Sequence, residues 1–252
     1  MKRLLIAALA FAALVGVAHA QTVRIASEGA YAPWNFIDES GKLAGFEIDL
    51  GTELCRRAAL DCSFIQNAWD TMIPNLTAGN FDAIMAGMSI TDERKQTIDF
   101  SDDYKPPVPS TFLVSSGATL DLETPKGLKI GAQTGTIQSA YAEQHFKADN
   151  TLVTFDTADQ ALADLNAGNL DAILAENDYL AEVVAGSNGA LKVDGPKIPI
   201  GGGVGVGLRK ADDALEQKFN VALAEMKADG SLDALIVKWF PEQGPGPYYK
   251  TN

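Results

Sequence analysis

Ala78-Gly79-Asn80-Phe81-Asp82-Ala83-Ile84-Met85 and Ala167-Gly168-Asn169-Leu170-Asp171-Ala172-Ile173-Leu174 are two versions of one pattern, and that pattern decides the fold. In each, an Ala-Gly-Asn tripeptide stops an amphipathic helical stretch, because a glycine past the last turn readily takes the left-handed conformation that closes a helix. In each, a short apolar run follows that reads as a buried strand. A helix, a stop and a strand used twice imply two similarly built α/β units.

The flanking sequence supports this. Before the first copy, residues 22–26 form a β-rich run that empties into Ser27-Glu28-Gly29-Ala30-Tyr31-Ala32-Pro33-Trp34, a polar loop carrying two aromatics. Gly41-Lys42 then turns the chain into Gly45-Phe46-Glu47-Ile48-Asp49-Leu50, and the apolar spacing continues as a helix through Leu54, Cys55, Ala58 and Ala59. Residues 62–66 read as a second strand. Trp69-Asp70 precedes a helix with Met72, Ile73 and Leu76 inward, and residues 81–85 are the third strand. Around the second copy the same rules predict strands over 128–131, 152–155 and 170–174, and helices over 139–146 and 158–166. Two more helices are expected over 211–228 and onward to Trp239. Such alternation is the mark of sheets covered by helices, in which ligands gather at the carboxyl ends of strands. Lys105-Pro106-Pro107-Val108-Pro109 is extended, since each proline fixes its own φ and restricts the residue before it. With the glycine-rich run 200–207 it makes two crossings between lobes, and hence a hinge.

Residues 1–20 read as a secretion signal, with Lys2 and Arg3, an apolar run over 4–17, and Ala18-His19-Ala20 as the small-residue cleavage site. The apolar run is shorter than the roughly 20 residues that cross a bilayer. Cleavage after Ala20 and export to the periplasm are expected. The chain carries 20 basic and 33 acidic residues, a net charge of −13, and losing Lys2 and Arg3 takes it to −15. That balance argues against nucleic acid and anionic lipid surfaces as partners. In an oxidising compartment Cys55 and Cys62 read as a short local disulfide if the chain turns back near Leu60-Asp61, with two separate buried thiols as the alternative. Two cysteines, His19 and His145 cannot make a metal centre, and no cofactor is implied.

The stretch 45–50 with Leu54, Cys55 and Ala58 resembles the signature of the polar amino-acid solute-binding proteins of ABC importers, family 3. Further matches are Tyr31-Ala32-Pro33, residues 88–94, Phe100-Ser101, residues 131–138 and 206–210, which together cover essentially the whole mature chain. The likeness is greatest to the branch that binds lysine, arginine and ornithine, histidine or opines, where a disulfide at the position of Cys55 and Cys62 also recurs. The resemblance implies a two-lobed type II periplasmic binding protein fold, each lobe a mixed sheet flanked by helices. Lobe 1 would comprise 21–105 and 205–252, and lobe 2 would be 106–204, with hinge crossings near 105–109 and 200–206. It also implies a small amino-acid ligand, a membrane permease as partner and a single copy as the working unit.

By the same resemblance, Arg94 would grip an α-carboxylate with two parallel N–H donors. Ser89 and the backbone at Gly87 would add bonds to the carboxylate or ammonium, and Thr136 a hydroxyl and an N–H at a helix N-terminus. Gln138 and Gln133 are neighbouring candidates. Glu176, where the family usually has aspartate, would receive the α-ammonium, with Asp178 able to share that role. Tyr31 and Trp69 would sandwich the ligand side chain. Trp34 reads as core. Glu28 stands where the cationic-ligand branch carries an acidic residue for a distal ammonium or guanidinium. Two carboxylates in one cleft favour a ligand with two cationic groups, arginine, lysine or ornithine, with an opine or another polar amino acid as the alternative. The fold is also similar to secreted cyclohexadienyl dehydratases, but no histidine is available as a base and no nucleophile elbow is present, so binding is preferred to catalysis. Docking on a sensory receptor is a second alternative. The run 201–207 lacks the Lys-Ser/Thr of a phosphate loop.

Overall fold

The structure is a computed structural model and describes residues 22–249, so the expected secretion signal lies outside the described residues. In chain order the elements are β1 (Val23–Ser27), β2 (Ala30–Tyr31), β3 (Asn35–Ile37), β4 (Leu43–Ala44), α1 (Phe46–Arg57), β5 (Cys62–Gln66), a 3-10 turn at Trp69–Thr71, α2 (Met72–Thr77), β6 (Ala83–Ile84), α3 (Asp92–Lys95) and β7 (Asp99–Lys105). There follow β8 (Ser110–Ser115), β9 (Lys129–Gln133), α4 (Ile137–His145), β10 (Thr151–Phe155), α5 (Ala158–Asn166), β11 (Ala172–Glu176), α6 (Asn177–Gly186) and β12 (Leu191–Ile198). The chain closes with β13 (Val204–Leu208), α7 (Asp213–Asp229), α8 (Ser231–Trp239) and a 3-10 turn at Pro241–Gln243.

Two five-stranded sheets have the same internal order, β5-β1-β6-β13-β7 and β10-β9-β11-β8-β12. In each, three parallel strands come first and an antiparallel strand sits fourth. That fourth strand is the one reached by crossing between the sheets. The chain passes from β7 to β8 through the proline segment, and returns from β12 to β13 through the glycine run. Successive residues of one strand serve opposite faces. Ile25 packs with Leu50, Leu54, Leu223 and Ile236 on one side of the first sheet, while Ala26 packs with Met72, Leu76 and Ile84 on the other. The second sheet is covered likewise, Leu113 and Ile173 facing Leu165 and Leu180, and Phe112 and Leu174 facing the Ala142 side. A fully buried side chain of this size contributes about 1.5 to 3 kcal/mol, so each lobe is held from both faces.

The two copies of the opening pattern do fold alike, each glycine at positive φ after its helix (Gly79, +78°; Gly168, +75°). Expected and observed bounds differ where side chains compete with the ladder. The third strand is only Ala83–Ile84, because Asp82 turns its carboxylate to the Arg24 backbone and guanidinium. The strands expected over 128–131 and 170–174 start later and run to Gln133 and Glu176, which carries both side chains to the edge of the interlobe space. Cys55 and Cys62 are joined by a disulfide, and the reversal between them is made by Ala59 at positive φ with Leu60 N–H donating to Cys55 O, rather than by Leu60-Asp61. Closing so short a loop stabilises the fold by roughly 2 to 3 kcal/mol through the unfolded chain.

Candidate functional site

The carboxyl ends of the parallel strands of both sheets converge on one small cleft. All nine residues expected at the site line it. Glu28 follows β1, Trp69 follows β5, Gly87 and Ser89 follow β6, Thr136 and Gln138 follow β9, and Glu176 ends β11. Tyr31, from β2, and Arg94, from α3, complete the set, with Gln133, Ala86 and Ile137 beside them.

Arg94 is placed by a short helix whose N-cap, Thr91, accepts a hydrogen bond from the Arg94 N–H. Its guanidinium donates to Ser89 O at 2.9 Å and reaches Gly135 O of the other lobe at 3.5 Å. It lies over the Trp69 ring, 5.3 Å from the centroid. No carboxylate pairs with it among the described residues, and burial pulls its pKa down to about 10. An arginine left this way is a receptor for an anion.

Thr136 caps α4. Its hydroxyl donates to Gln133 O at 2.7 Å and accepts from Ser139 N–H, so what remains for a ligand are the first-turn N–H groups of Ile137 and Gln138. Gly87 holds φ +64°, a conformation suited to glycine, and its N–H donates to Glu47 Oε1 at 2.7 Å. Only its carbonyl is left for the cleft. Gln138 donates to Ser110 Oγ at 3.0 Å.

The acidic side chains are unequal. Glu28 is 5% exposed and takes a 2.6 Å bond from Gln133 Nε2 across the lobes, while burial, with Asp159, Glu47 and Asp70 nearby, pushes its pKa up to about 7. Glu176 is 8% exposed, and its carboxylate has no hydrogen-bond partner among the described residues. Burial and the adjacent Asp178 raise it to about 8, against the pull of Lys105. Asp178 does not line the cleft; it pairs with Lys105, which corrects the expectation that it shares the ammonium role.

Tyr31 and Trp69 both line the cleft, and the Tyr31 ring stacks on Tyr179 of the other lobe, centroids 4.2 Å apart and planes 14° off parallel. Trp34 is fully buried against Phe46 and Phe240, as its core reading requires. Sequence reasoning missed Glu47. This buried carboxylate accepts from Asn35, Gly87 and Tyr104 and so fixes the β6 loop. The signal was present, since Glu47 shares the inward helical spacing of Leu50, Gly51 and Leu54. Tyr179 and Lys105 were also missed, because nothing local marks a side chain that meets its partner across a hinge.

The sequence and the fold are shared with known proteins. The chain is 36% identical over 255 residues to the lysine/arginine/ornithine-binding periplasmic protein of Escherichia coli K12, covering 92% of this chain and 95% of that one. It is 35% identical over 235 residues to the histidine-binding periplasmic protein of the same organism, covering 87% and 88%. A solved structure of a periplasmic His/Glu/Gln/Arg/opine family-binding protein from Silicibacter pomeroyi, in complex with lysine, superposes with a TM-score of 0.82 at 47% identity, over 90% of this chain and 100% of that one. The model of the bacterial extracellular solute-binding proteins, family 3, matches residues 23–242. This chain belongs to that family.

Proposed function

We propose that the protein is the periplasmic receptor of an amino-acid ABC importer and that its ligand is a cationic amino acid, arginine, lysine or ornithine. The observation that carries the ligand class is the pairing, in one cleft, of a carboxylate-free Arg94 with two buried carboxylates, Glu28 and Glu176. In this reading Arg94 and the first turn of α4 hold the α-carboxylate, Glu176 takes the α-ammonium, and the side chain lies between Tyr31 and Trp69. The distal cation reaches Glu28 and takes over the bond that Gln133 makes. Three ligand charges then meet three protein charges, and no buried charge is left alone. Lobes 21–105 with 205–252 and 106–204 close around the ligand by bending at 105–109 and 200–206, and the closed form docks on the permease. The names of the relatives support the class and binding rather than turnover, and the secretion signal read in 1–20 supports the periplasm.

The test is a thermal-shift and calorimetric screen of mature protein, stripped by unfolding and refolding, against amino acids and octopine. A ligand selective for the native state raises its stability by about 2.7 kcal/mol at one hundred times Kd. Shifts with arginine, lysine or ornithine are expected; a larger shift with octopine would move the ligand to the opines. No shift with any of them in folded protein would sink the proposal and direct attention to turnover of prephenate or arogenate. Glu28→Gln keeps the size of the side chain and its bond to Gln133 but removes the charge. We expect it to weaken arginine and lysine by about tenfold or more while leaving glutamine within about threefold. Equal losses for cationic and neutral ligands would refute the role of Glu28.

A further inference from the structure

Behind Glu176 lies a buried ion pair that takes no part in lining the cleft. Lys105, the last residue of β7, donates through Nζ to the Asp178 carboxylate on the first turn of α6. It also donates to Gln243 Oε1 at 2.6 Å. The two charged side chains are only 1% and 3% exposed. The rings of Phe240 and Trp34 stand 4.6 and 5.4 Å from the ammonium, so little water reaches it and its charge is met by protein groups.

Glu176 and Asp178 are two residues apart, and the N–H of Asn177 between them donates to Pro109 O at 3.1 Å, so all three sit against the hinge segment that Lys105 begins. The ammonium bonds to Asp178, and its charge also favours the nearby Glu176 anion, to which it makes no bond. A buried ammonium on a flexible four-carbon stem does not stay unpaired when a carboxylate is in reach.

We propose that Asp178 is a positioning residue for ligand selection: by holding Lys105 it leaves the Glu176 carboxylate unpartnered and reserved for the α-ammonium of the ligand. The proposal rests on the assignment of Glu176 to that ammonium. Without the Asp178 charge, Lys105 turns to Glu176 and supplies, from within the protein, the cation that the ligand would bring. The cleft then loses its preference for an α-amino acid over a carboxylic acid of the same length without the amine.

The experiment is calorimetry on mature protein with L-arginine and with 5-guanidinopentanoic acid, its des-amino analogue. In Asp178→Asn the affinity for arginine falls at least about tenfold while that for the analogue holds or rises. In Lys105→Met/Asp178→Leu, which removes both charges together, arginine returns to within about threefold of the parent, since apolar residues of similar volume can replace a buried pair. Equal losses for the two ligands in Asp178→Asn, or unchanged arginine binding there while Glu176→Gln lowers it, overturn the proposal. Where Asp178→Asn does not fold, loss of arginine binding in the folded double variant overturns it. Unchanged arginine binding in Glu176→Gln removes instead the assignment on which the proposal rests.

Discussion

Replacing Arg94 by alanine should abolish tight binding, with a loss of roughly 2 to 5 kcal/mol, or about 30-fold to several thousand-fold in Kd. The figure is that for removing one partner of a desolvated, hydrogen-bonded charge pair, because the ligand carboxylate would enter the cleft and meet neutral Trp69 and the helix start of α4 alone. The folded state should change little. Arg94 is half-buried, makes two bonds to backbone carbonyls and pairs with no acid among the described residues, so its loss strands no buried charge there. Calorimetry gives the affinity and thermal unfolding of stripped protein separates binding from stability. Arg94→Lys discriminates further. It keeps the charge but loses the planar pair of donors, and it should recover only part of the loss. An affinity unchanged in Arg94→Ala would remove Arg94 from the carboxylate site and with it the orientation proposed for the ligand.

Much of this arrangement was legible in the sequence for one physical reason. Parallel strands buried on both faces read as short apolar runs, and the residues that leave their carboxyl ends are the ones that can meet a ligand. Glu28, Gly87, Gln133 and Glu176 all occupy such positions, although it was the family resemblance, and not the strand pattern, that singled them out as ligand contacts. The strand β12 could not, since Lys192, Asp194 and Lys197 alternate with a Gly195-Pro196 interruption and its register slips between Asp194 and Ile198. Nor could α6, because Glu176 is at once the last residue of β11 and the residue before the helix, with no loop to announce the change. The Lys105–Asp178 pair joins residues 73 positions apart, and Tyr31–Tyr179 joins still more distant ones. Contacts of that range are decided by how the two lobes meet. Periodicity carries no information about them, whereas the family resemblance pointed to the ligand-facing residues and not to the support behind them.

The raised carboxyls make a second large prediction, in which stability and affinity change with pH in opposite directions. In the folded protein Glu28 titrates at about 7 and Glu176 at about 8, against an ordinary value of 4.5, chiefly because burial disfavours the anion. The native state of stripped protein therefore holds protons that the unfolded chain has released. The stabilisation from these groups is full below about pH 4.5 and is lost as pH rises through 7 and 8, a contribution on the order of 3 kcal/mol for Glu28 and of 5 kcal/mol for Glu176. Stripped protein should unfold at lower temperature at pH 8.5 than at pH 5.5, and Glu28→Gln/Glu176→Gln, which cannot ionise at these sites, should flatten the difference. Binding runs the other way. A cationic ligand needs both carboxylates as anions, so its affinity should rise by about a hundredfold or more from pH 6 to pH 8.5, with protons released on binding. Calorimetry in buffers of different ionisation enthalpy counts those protons. An arginine affinity independent of pH, or stability curves of the parent and the double variant that run parallel, would show that the two carboxylates already carry their charge without a ligand, and the case for a dicationic ligand would lose its electrostatic basis.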